Sequence, residues 1–136
     1  MFWVQGLLTL MGLSEGMWRL CLFLLLAGCA APTSGFRGAV VSDHAVEGSR
    51  FKVYRSGDQA QAVRITRQFA PRIGPLAGRA AIAMQQGTGC RVTEMAGDAA
   101  VLVARLSCGA PHPSCKVDAV LKGRRGFRLP VVRDCP

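Results

Sequence analysis

The sequence contains few acidic and few aromatic side chains. Only 8 of its 136 residues are Asp or Glu against 17 Lys or Arg, which gives a formal net charge of +9, and aromatic residues make up 7% of the chain. The charge imbalance favours anionic partners. Because few aromatic residues interleave with the basic segments, the stacking surfaces that nucleic acids use are missing, and nucleic acid is not a favoured partner.

Motifs of catalysis and cofactor binding are also absent. The chain has no Gly-x-Ser-x-Gly, no glycine-rich phosphate loop, no Cys-x-x-Cys and no helical ligand spacing between His44 and His112. We therefore predict a non-enzymatic protein without metal or cofactor. The alternative is a small cell-wall or lipid hydrolase that uses His44 or His112 with Ser42, Asp43 or Asp118.

No apolar segment is long enough to cross a bilayer, which takes about 20 apolar residues. The run from Leu20 to Leu26 follows Arg19 and ends in small residues. A cationic start, an apolar middle and a small-residue end are typical of an export signal. We predict that residues 1–28 form a signal peptide, and that Met17 is the true start because it gives a compact signal with Arg19 near its front.

The end of this segment, Leu26-Ala27-Gly28-Cys29, resembles the lipobox of bacterial lipoproteins at all four positions. The resemblance implies cleavage before Cys29, diacylglycerol on its sulfur and usually a third acyl chain, such as palmitate, on its amine. Ala30 stands where many Gram-negative lipoproteins carry the aspartate that signals inner-membrane retention, so the periplasmic face of the outer membrane is favoured. The alternative is an ordinary signal peptide whose cleavage site adjoins a cysteine.

Residues 29–38 follow as a lipidated tether, predicted to be flexible because it mixes small residues, proline and glycine. The length of 39–136 suits a single domain. Within it, alternating polarity over 50–55 and 62–66, around turn residues 56–59, predicts a β-hairpin. Its inward side chains are predicted to be Phe51, Val53, Val63 and Ile65. An amphipathic helix through 59–69 is the alternative.

A single helix is predicted after Pro75, through an alanine-rich segment that ends at Gln86 before Gly87. The segment Gly87-Thr88-Gly89 resembles a phosphate loop superficially, but it is better explained as the helix stop. The helix face that packs on a sheet is predicted to comprise Leu76, Ala80, Ala83 and Met84.

A second hairpin is predicted from 90–95 and 99–107, which flank Ala96-Gly97-Asp98. Its second strand is the most apolar of the chain, which favours a central position in the sheet. Two further strands are predicted at 116–121 and 127–132, around Gly123. The fold class is therefore α+β, with an antiparallel sheet of two or more hairpins packed on one helix.

Besides Cys29, the predicted mature chain contains four cysteines. An exported location is oxidising, so two disulfides are expected among Cys90, Cys108, Cys115 and Cys135. Loop-closure entropy weakly favours Cys90 with Cys108 and Cys115 with Cys135. However, a two-residue turn at Gly97-Asp98 would put Cys108 on the other sheet face from Cys90, so that pairing requires a bulge or a frayed strand end.

The densest basic stretch runs from Lys122 to Arg128, with Phe127 as its one aromatic residue, and a second set comprises Arg64, Arg67, Arg72 and Arg79. Arginine is well suited to phosphates and carboxylates. The predicted anion-binding residues are Lys122, Arg124, Arg125, Arg128 and Arg133. The alternative is that these arginines are solvated and reflect a GC-rich genome.

Together these features predict a small envelope lipoprotein, similar to many small lipoproteins of Gram-negative bacteria. Its partners would be the membrane, through the lipid anchor, and an anionic envelope polymer or a protein assembly of which it is an accessory subunit.

Overall fold

The computed structural model describes residues 33–68 and 71–136. The predicted signal peptide, Cys29 and the first residues of the tether lie outside this part of the chain. Within it, no helix combines the length and the apolar character that a bilayer span requires.

The described residues form seven strands, one α-helix and two short 3₁₀ turns. In chain order the elements are a 3₁₀ turn (Ser34–Phe36), β1 (Val40–Val46), β2 (Ser49–Ser56), β3 (Gln59–Arg64), α1 (Ile73–Thr88), β4 (Arg91–Gly97), β5 (Val101–Ser107), β6 (Val117–Lys122), a second 3₁₀ turn (Arg124–Gly126) and β7 (Arg128–Arg133).

All seven strands belong to one sheet in the order β1-β2-β3-β5-β4-β6-β7. Neighbouring strands are antiparallel except β4 and β6, which run parallel. The predicted α+β class is confirmed, and β5 has the central position expected of the most apolar strand. Strand β1 and the parallel pair were not predicted.

The first hairpin is formed by β2 and β3, joined at Gly57 and Asp58, so the helical alternative over 59–69 is wrong. Its register pairs Val53 with Ala62, and directly opposite side chains share a face of the sheet. Phe51 and Val53 therefore face the helix and are 1% exposed, as predicted. The predictions for Val63 and Ile65 are wrong, because Val63 is buried on the other face and Ile65 is 36% exposed.

Helix α1 begins two residues before the predicted Pro75 and ends at Thr88. Pro75 lies in the first turn, where a missing N–H breaks no helical hydrogen bond. The residue that ends the helix is Gly89, which has φ 71° and donates its N–H to the carbonyl of Gln85, whereas the predicted stop, Gly87, is helical. The predicted sheet-facing residues are all buried, with at most 2% exposure: Leu76, Ala80, Ala83 and Met84.

The sheet curls around α1, because the helix contacts all seven strands, including the edge strands β1 and β7. Small residues allow this close approach. A Cβ atom at Gly87 would lie 2.7 Å from Ser42 Oγ and 3.0 Å from His44 Nε2 of β1. The alanine-rich sequence of the helix thus follows from the need to fit inside a curved sheet.

The two faces of the sheet carry separate apolar clusters. The main core lies between the sheet and α1, and a smaller cluster of Phe36, Tyr54 and Val63 lies on the side away from α1, here called the outer face. Phe36 belongs to the segment 33–38, which was predicted to be a flexible tether. The structure differs from that prediction at these residues, because Phe36 is only 5% exposed.

Gln85 of α1 binds the loop that precedes β6. Its side-chain amide donates to the carbonyls of Ser114 and Lys116, at 2.8 Å each, and its oxygen accepts the N–H of Val92 at 3.1 Å. The side chain is 2% exposed, and these three bonds satisfy its polar atoms.

Two disulfides join Cys90 to Cys108 and Cys115 to Cys135, with Cα atoms 4.6 and 5.0 Å apart. The predicted pairing is confirmed. A β-bulge at Thr93 shifts the register between Val92 and Glu94 of β4, and this shift brings Cys90 opposite Cys108. The bulge that this pairing was expected to need is therefore present.

The second hairpin reverses direction later than predicted. Gly97 still pairs with Leu102, and the turn lies at Asp98–Val101. The Asp98 carboxylate accepts the N–H groups of Ala100 and Val101 at 2.8 and 3.0 Å. These bonds, that to Val101 first, lower the pKa of Asp98, and they explain why the turn begins at this residue.

Candidate anion-binding site

The loop between β6 and β7, Gly123–Phe127, is here called the basic loop. Gly123 donates its N–H to the carbonyl of Phe127 at 2.8 Å, and Phe127 donates to the carbonyl of Arg124 at 3.3 Å. Arg125 and Gly126 have φ values of 58° and 76°. The chain therefore reverses through two left-handed residues, and the first of them is an arginine.

Phe127 closes the base of the basic loop. A Cβ atom at Gly123 would lie 2.9 Å from Phe127 Cδ1, so the aromatic side chain packs directly over the glycine backbone. The side chain nevertheless remains 59% exposed. The loop therefore presents an exposed apolar ring in the same five-residue segment as Arg124 and Arg125.

Three arginines at this end of the sheet have no acidic partner within the described residues. Arg124, Arg125 and Arg128 are exposed, and the ion pairs found in that part of the chain involve other cations. Their charges are therefore available to an external anion.

Lys122 lies at the same end of the sheet but is already paired. Its ammonium group donates to Glu94 Oε2 at 2.8 Å. This hydrogen bond is the main cause that lowers the pKa of Glu94, and the positive charges of Arg105 and Arg128 lower it further. Glu94 is thus a carboxylate within a basic part of the outer face.

Arg133 is not part of this group. It lies at the other end of β7 on the helix side, where its side chain packs on Gly78 and binds the carboxylate of Glu47. Glu47 also accepts from Arg79 Nε at 3.2 Å. Four of the five predicted anion-binding residues therefore lie at the same end of the sheet. Arg133, like Arg79, instead forms an ion pair with Glu47.

Four further cations of the outer face, Arg50, Lys52, Arg91 and Arg105, were not predicted to bind anions. Strand alternation and pairing place six basic residues on this face against three carboxylates, Asp43, Glu94 and Asp118. The six are Arg50, Lys52, Arg91, Arg105, Lys122 and Arg128. The only sign of this group in the sequence was the alternation of Arg50 and Lys52 with buried residues. The alternation predicts a strand, but it does not show which cations of other strands share its face until the register is known.

Two residues proposed for hydrolysis do meet. Ser42 Oγ and His44 Nε2 are 2.9 Å apart on the helix side of β1. Asp43 points to the other face because it lies between them in the strand. His112 lies elsewhere, 2.7 Å from the carbonyl of Lys116. Among the described residues no third side chain is hydrogen-bonded to His44.

Within residues 33–68 and 71–136, no three side chains of His, Cys, Asp or Glu are grouped so that they could hold a metal ion. No protein-family model, curated protein or solved structure matches the chain, so its own residues alone define the candidate site.

Proposed function

We propose that the protein is a non-enzymatic envelope lipoprotein that is anchored through Cys29 and binds an anionic envelope component with its basic loop. The observation that carries this proposal is the exposure of Arg124, Arg125 and Arg128 without ion pairs in the described part of the chain. Like charges held together on a hairpin repel one another, and a bound anion relieves that repulsion.

The chemistry of the loop suits phosphate or carboxylate groups. Guanidinium groups bind both in a bidentate manner, and the exposed ring of Phe127 offers apolar contact in the same loop. Envelope anions with these groups are the headgroups of phospholipids and lipopolysaccharide and the carboxylates of peptidoglycan. Several cations acting together make such binding sensitive to salt.

Two observations support an envelope location. The four positions of Leu26-Ala27-Gly28-Cys29 resemble a lipobox. The two disulfides are typical of an oxidising compartment outside the cytoplasm.

Binding can be tested on the mature protein in non-ionic detergent, titrated with short-chain phosphatidylglycerol or soluble peptidoglycan fragments while amide NMR shifts are recorded. We expect shifts concentrated at Gly123–Arg128. Arg124→Ser/Arg125→Ser should weaken binding about 30-fold, because each cation contributes roughly 1 kcal/mol near an anionic surface.

The matched control, Arg67→Ser/Arg72→Ser, removes the same charge from the connection between β3 and α1. It should change the affinity less than threefold, a difference on the order of 0.6 kcal/mol. Equal losses in the two double variants would mean that only net charge matters, and the proposed role of the loop would then be rejected.

The anchor is tested by the intact mass of protein purified from native membranes, before and after reduction. The expected mass is that of triacylated Cys29–Pro136, with a gain of four hydrogens when the two disulfides are reduced. A mass without acyl chains that still includes residues before Cys29 would reject the proposed location.

The contact between Ser42 and His44 keeps a hydrolase as the second candidate function. A serine hydroxyl 2.9 Å from a histidine ring nitrogen is the core of many nucleophilic sites, although a third group normally orients the histidine. A fluorophosphonate probe distinguishes the two candidates. Labelling that Ser42→Ala abolishes and Ser107→Ala leaves intact would favour the hydrolase, whereas an unlabelled Ser42 favours the binding protein.

A further inference from the structure

We propose that the outer face of the sheet lies against the bilayer that holds Cys29, with its cations on anionic phospholipid headgroups. This inference rests on the proposed anchoring at Cys29, and it identifies the anionic partner of the protein as the membrane surface itself.

The point where the anchor segment reaches the domain is on the outer face. Thr33 donates its N–H to Gln61 Oε1 at 3.2 Å, and Gln61 Nε2 donates to Thr33 Oγ1 at 3.1 Å. Gln61 is fully buried in β3, the third strand of seven. Three residues further on, Phe36 packs beside Tyr54 and Val63 on the same face. The chain is therefore fixed to the sheet from Thr33 onwards.

The length of chain between Cys29 and Thr33 limits which side of the domain can face the membrane. Four residue steps span at most about 14 Å when the chain is fully extended. A helix packed on a sheet adds a layer of roughly 10 Å to the thickness of the sheet itself, so the far side of α1 lies about 20 Å from the outer face. With α1 against the bilayer, Thr33 would be out of reach of Cys29.

Charge then decides between the outer face and the nearer sheet edge. Strand β1, two strands from the attachment point, contains Asp43 and no Lys or Arg. The outer face has six cations against three carboxylates, and Arg124 and Arg125 of the basic loop adjoin it. Because anionic headgroups attract each nearby cation, the face is favoured over the edge.

This orientation assigns the two sides of the domain different surroundings. The outer face and the basic loop contact headgroups, and the exposed ring of Phe127 inserts at the boundary between headgroups and acyl chains. Helix α1 and the ion pairs of Glu47 are directed away from the membrane.

The three lysines of the chain, Lys52, Lys116 and Lys122, allow a direct test. Lys52 and Lys122 lie on the outer face, whereas Lys116 is exposed before β6, where its carbonyl accepts from Gln85 of α1. The mature lipoprotein is acetylated with an amine-reactive ester, once in vesicles of phosphatidylethanolamine and phosphatidylglycerol and once in non-ionic detergent micelles.

We expect the vesicles to slow acetylation of Lys52 and Lys122 about fivefold or more, and that of Lys116 less than twofold, because headgroups cover only the outer face. Equal slowing of all three lysines, or stronger protection of Lys116, would overturn the proposal. Arg50→Ser/Arg105→Ser should reduce the protection. Arg67→Ser/Arg72→Ser, which changes the connection between β3 and α1 and no strand of this face, should leave the protection unchanged.

Different results would reject the proposed anchoring and the proposed orientation. The intact mass of the same preparation shows whether Cys29 is acylated before any vesicle is added. An unacylated protein rejects the anchoring on which the inference rests, whereas an acylated protein whose lysines react alike rejects only the orientation.

Discussion

At the residue scale, Arg125 combines a strained backbone with an exposed charge. Its φ of 58° lies in the left-handed region, which costs a residue with a Cβ roughly 1 kcal/mol and costs glycine nothing. We therefore expect Arg125→Gly to raise the free energy of unfolding by about 1 kcal/mol, as measured by urea denaturation. The same variant should bind anions more weakly, as measured by the phosphatidylglycerol titration.

Arg124 is the matched control, because it is exposed in the same loop but does not have a positive φ. Arg124→Gly should weaken binding to a similar extent without the gain in stability. A gain in stability for both variants would show that the strain at Arg125 is not the cause.

Glu47 makes stability depend on pH. The hydrogen bond from Arg79, followed by the contact with Arg133, holds the pKa of Glu47 below its ordinary value of 4.5. Because the folded pKa is lower than the unfolded one, the carboxylate stabilises the fold above pH 4.5, and this contribution is lost as the pH falls through the folded value.

We expect the wild type to melt at a higher temperature than Glu47→Gln at pH about 7, and the difference between the two melting temperatures to shrink as the pH falls below 4.5. Thermal unfolding followed by circular dichroism over this range is the measurement. Other carboxylates titrate in both proteins and cancel in the difference. A difference that stays constant with pH would contradict the role of the ionised carboxylate.

At the scale of elements, the register of β4 against β5 determines whether the first disulfide can form. Glu94 pairs with Arg105 and Val92 pairs with Leu106, so Thr93 is the extra residue. Deletion of Thr93 should leave Cys90 opposite Cys108, because the pairs on both sides of the bulge are retained. The expected result is a folded protein without free thiols, measured by intact mass after alkylation.

Deletion of Arg91 is the contrasting variant. It should move Cys90 opposite Ser107 and onto the outer face, because a shift of one residue reverses the direction of every side chain. Two alkylated thiols are expected. Free thiols after deletion of Thr93 would show that the bulge does more than set this register.

The elements that were predictable from the sequence depend on local patterns. The β2–β3 turn, the alanine-rich helix and the strands around Gly123 each have their signal within about a dozen residues. Strand β1 reads Val-Val-Ser-Asp-His-Ala-Val, where clean alternation is missing. The parallel pairing of β4 with β6 joins residues such as Glu94 and Val120, and no local pattern encodes it.

The candidate site divides in the same way. The basic loop is a run of neighbouring residues, so its charge was visible in the sequence. The ion pair of Arg133 with Glu47 joins residues 86 positions apart, and the outer-face cations come together only through the register of six strands. The basic loop was therefore predictable from the sequence, whereas the ion pairs of its neighbours Lys122 and Arg133 were not.

At the scale of the whole molecule, the fold is closed by a few long-range bonds. Both edge strands contact α1, and Glu47, from the turn between β1 and β2, binds Arg79 of the helix and Arg133 of β7. Each disulfide joins the open end of one hairpin, β4–β5 or β6–β7. A domain of roughly 100 residues has a modest core, so these ties form a large share of its stability.

The two disulfides enclose separate loops, with sequence separations of 18 and 20 residues that do not overlap. Loops of this size contribute about 3 kcal/mol each by restricting the unfolded chain, against a total stability of about 5–15 kcal/mol for a typical domain.

We therefore expect removal of either disulfide to lower the free energy of unfolding by about 3 kcal/mol. The two variants are Cys90→Ser/Cys108→Ser and Cys115→Ser/Cys135→Ser. The fourfold variant should lose the sum of the two, because the effects of independent sites are additive. Urea denaturation of the three variants measures this. A fourfold loss well below the sum would mean that the hairpins are coupled in the unfolded state, and an unchanged midpoint would mean that the curved sheet holds the helix without covalent ties.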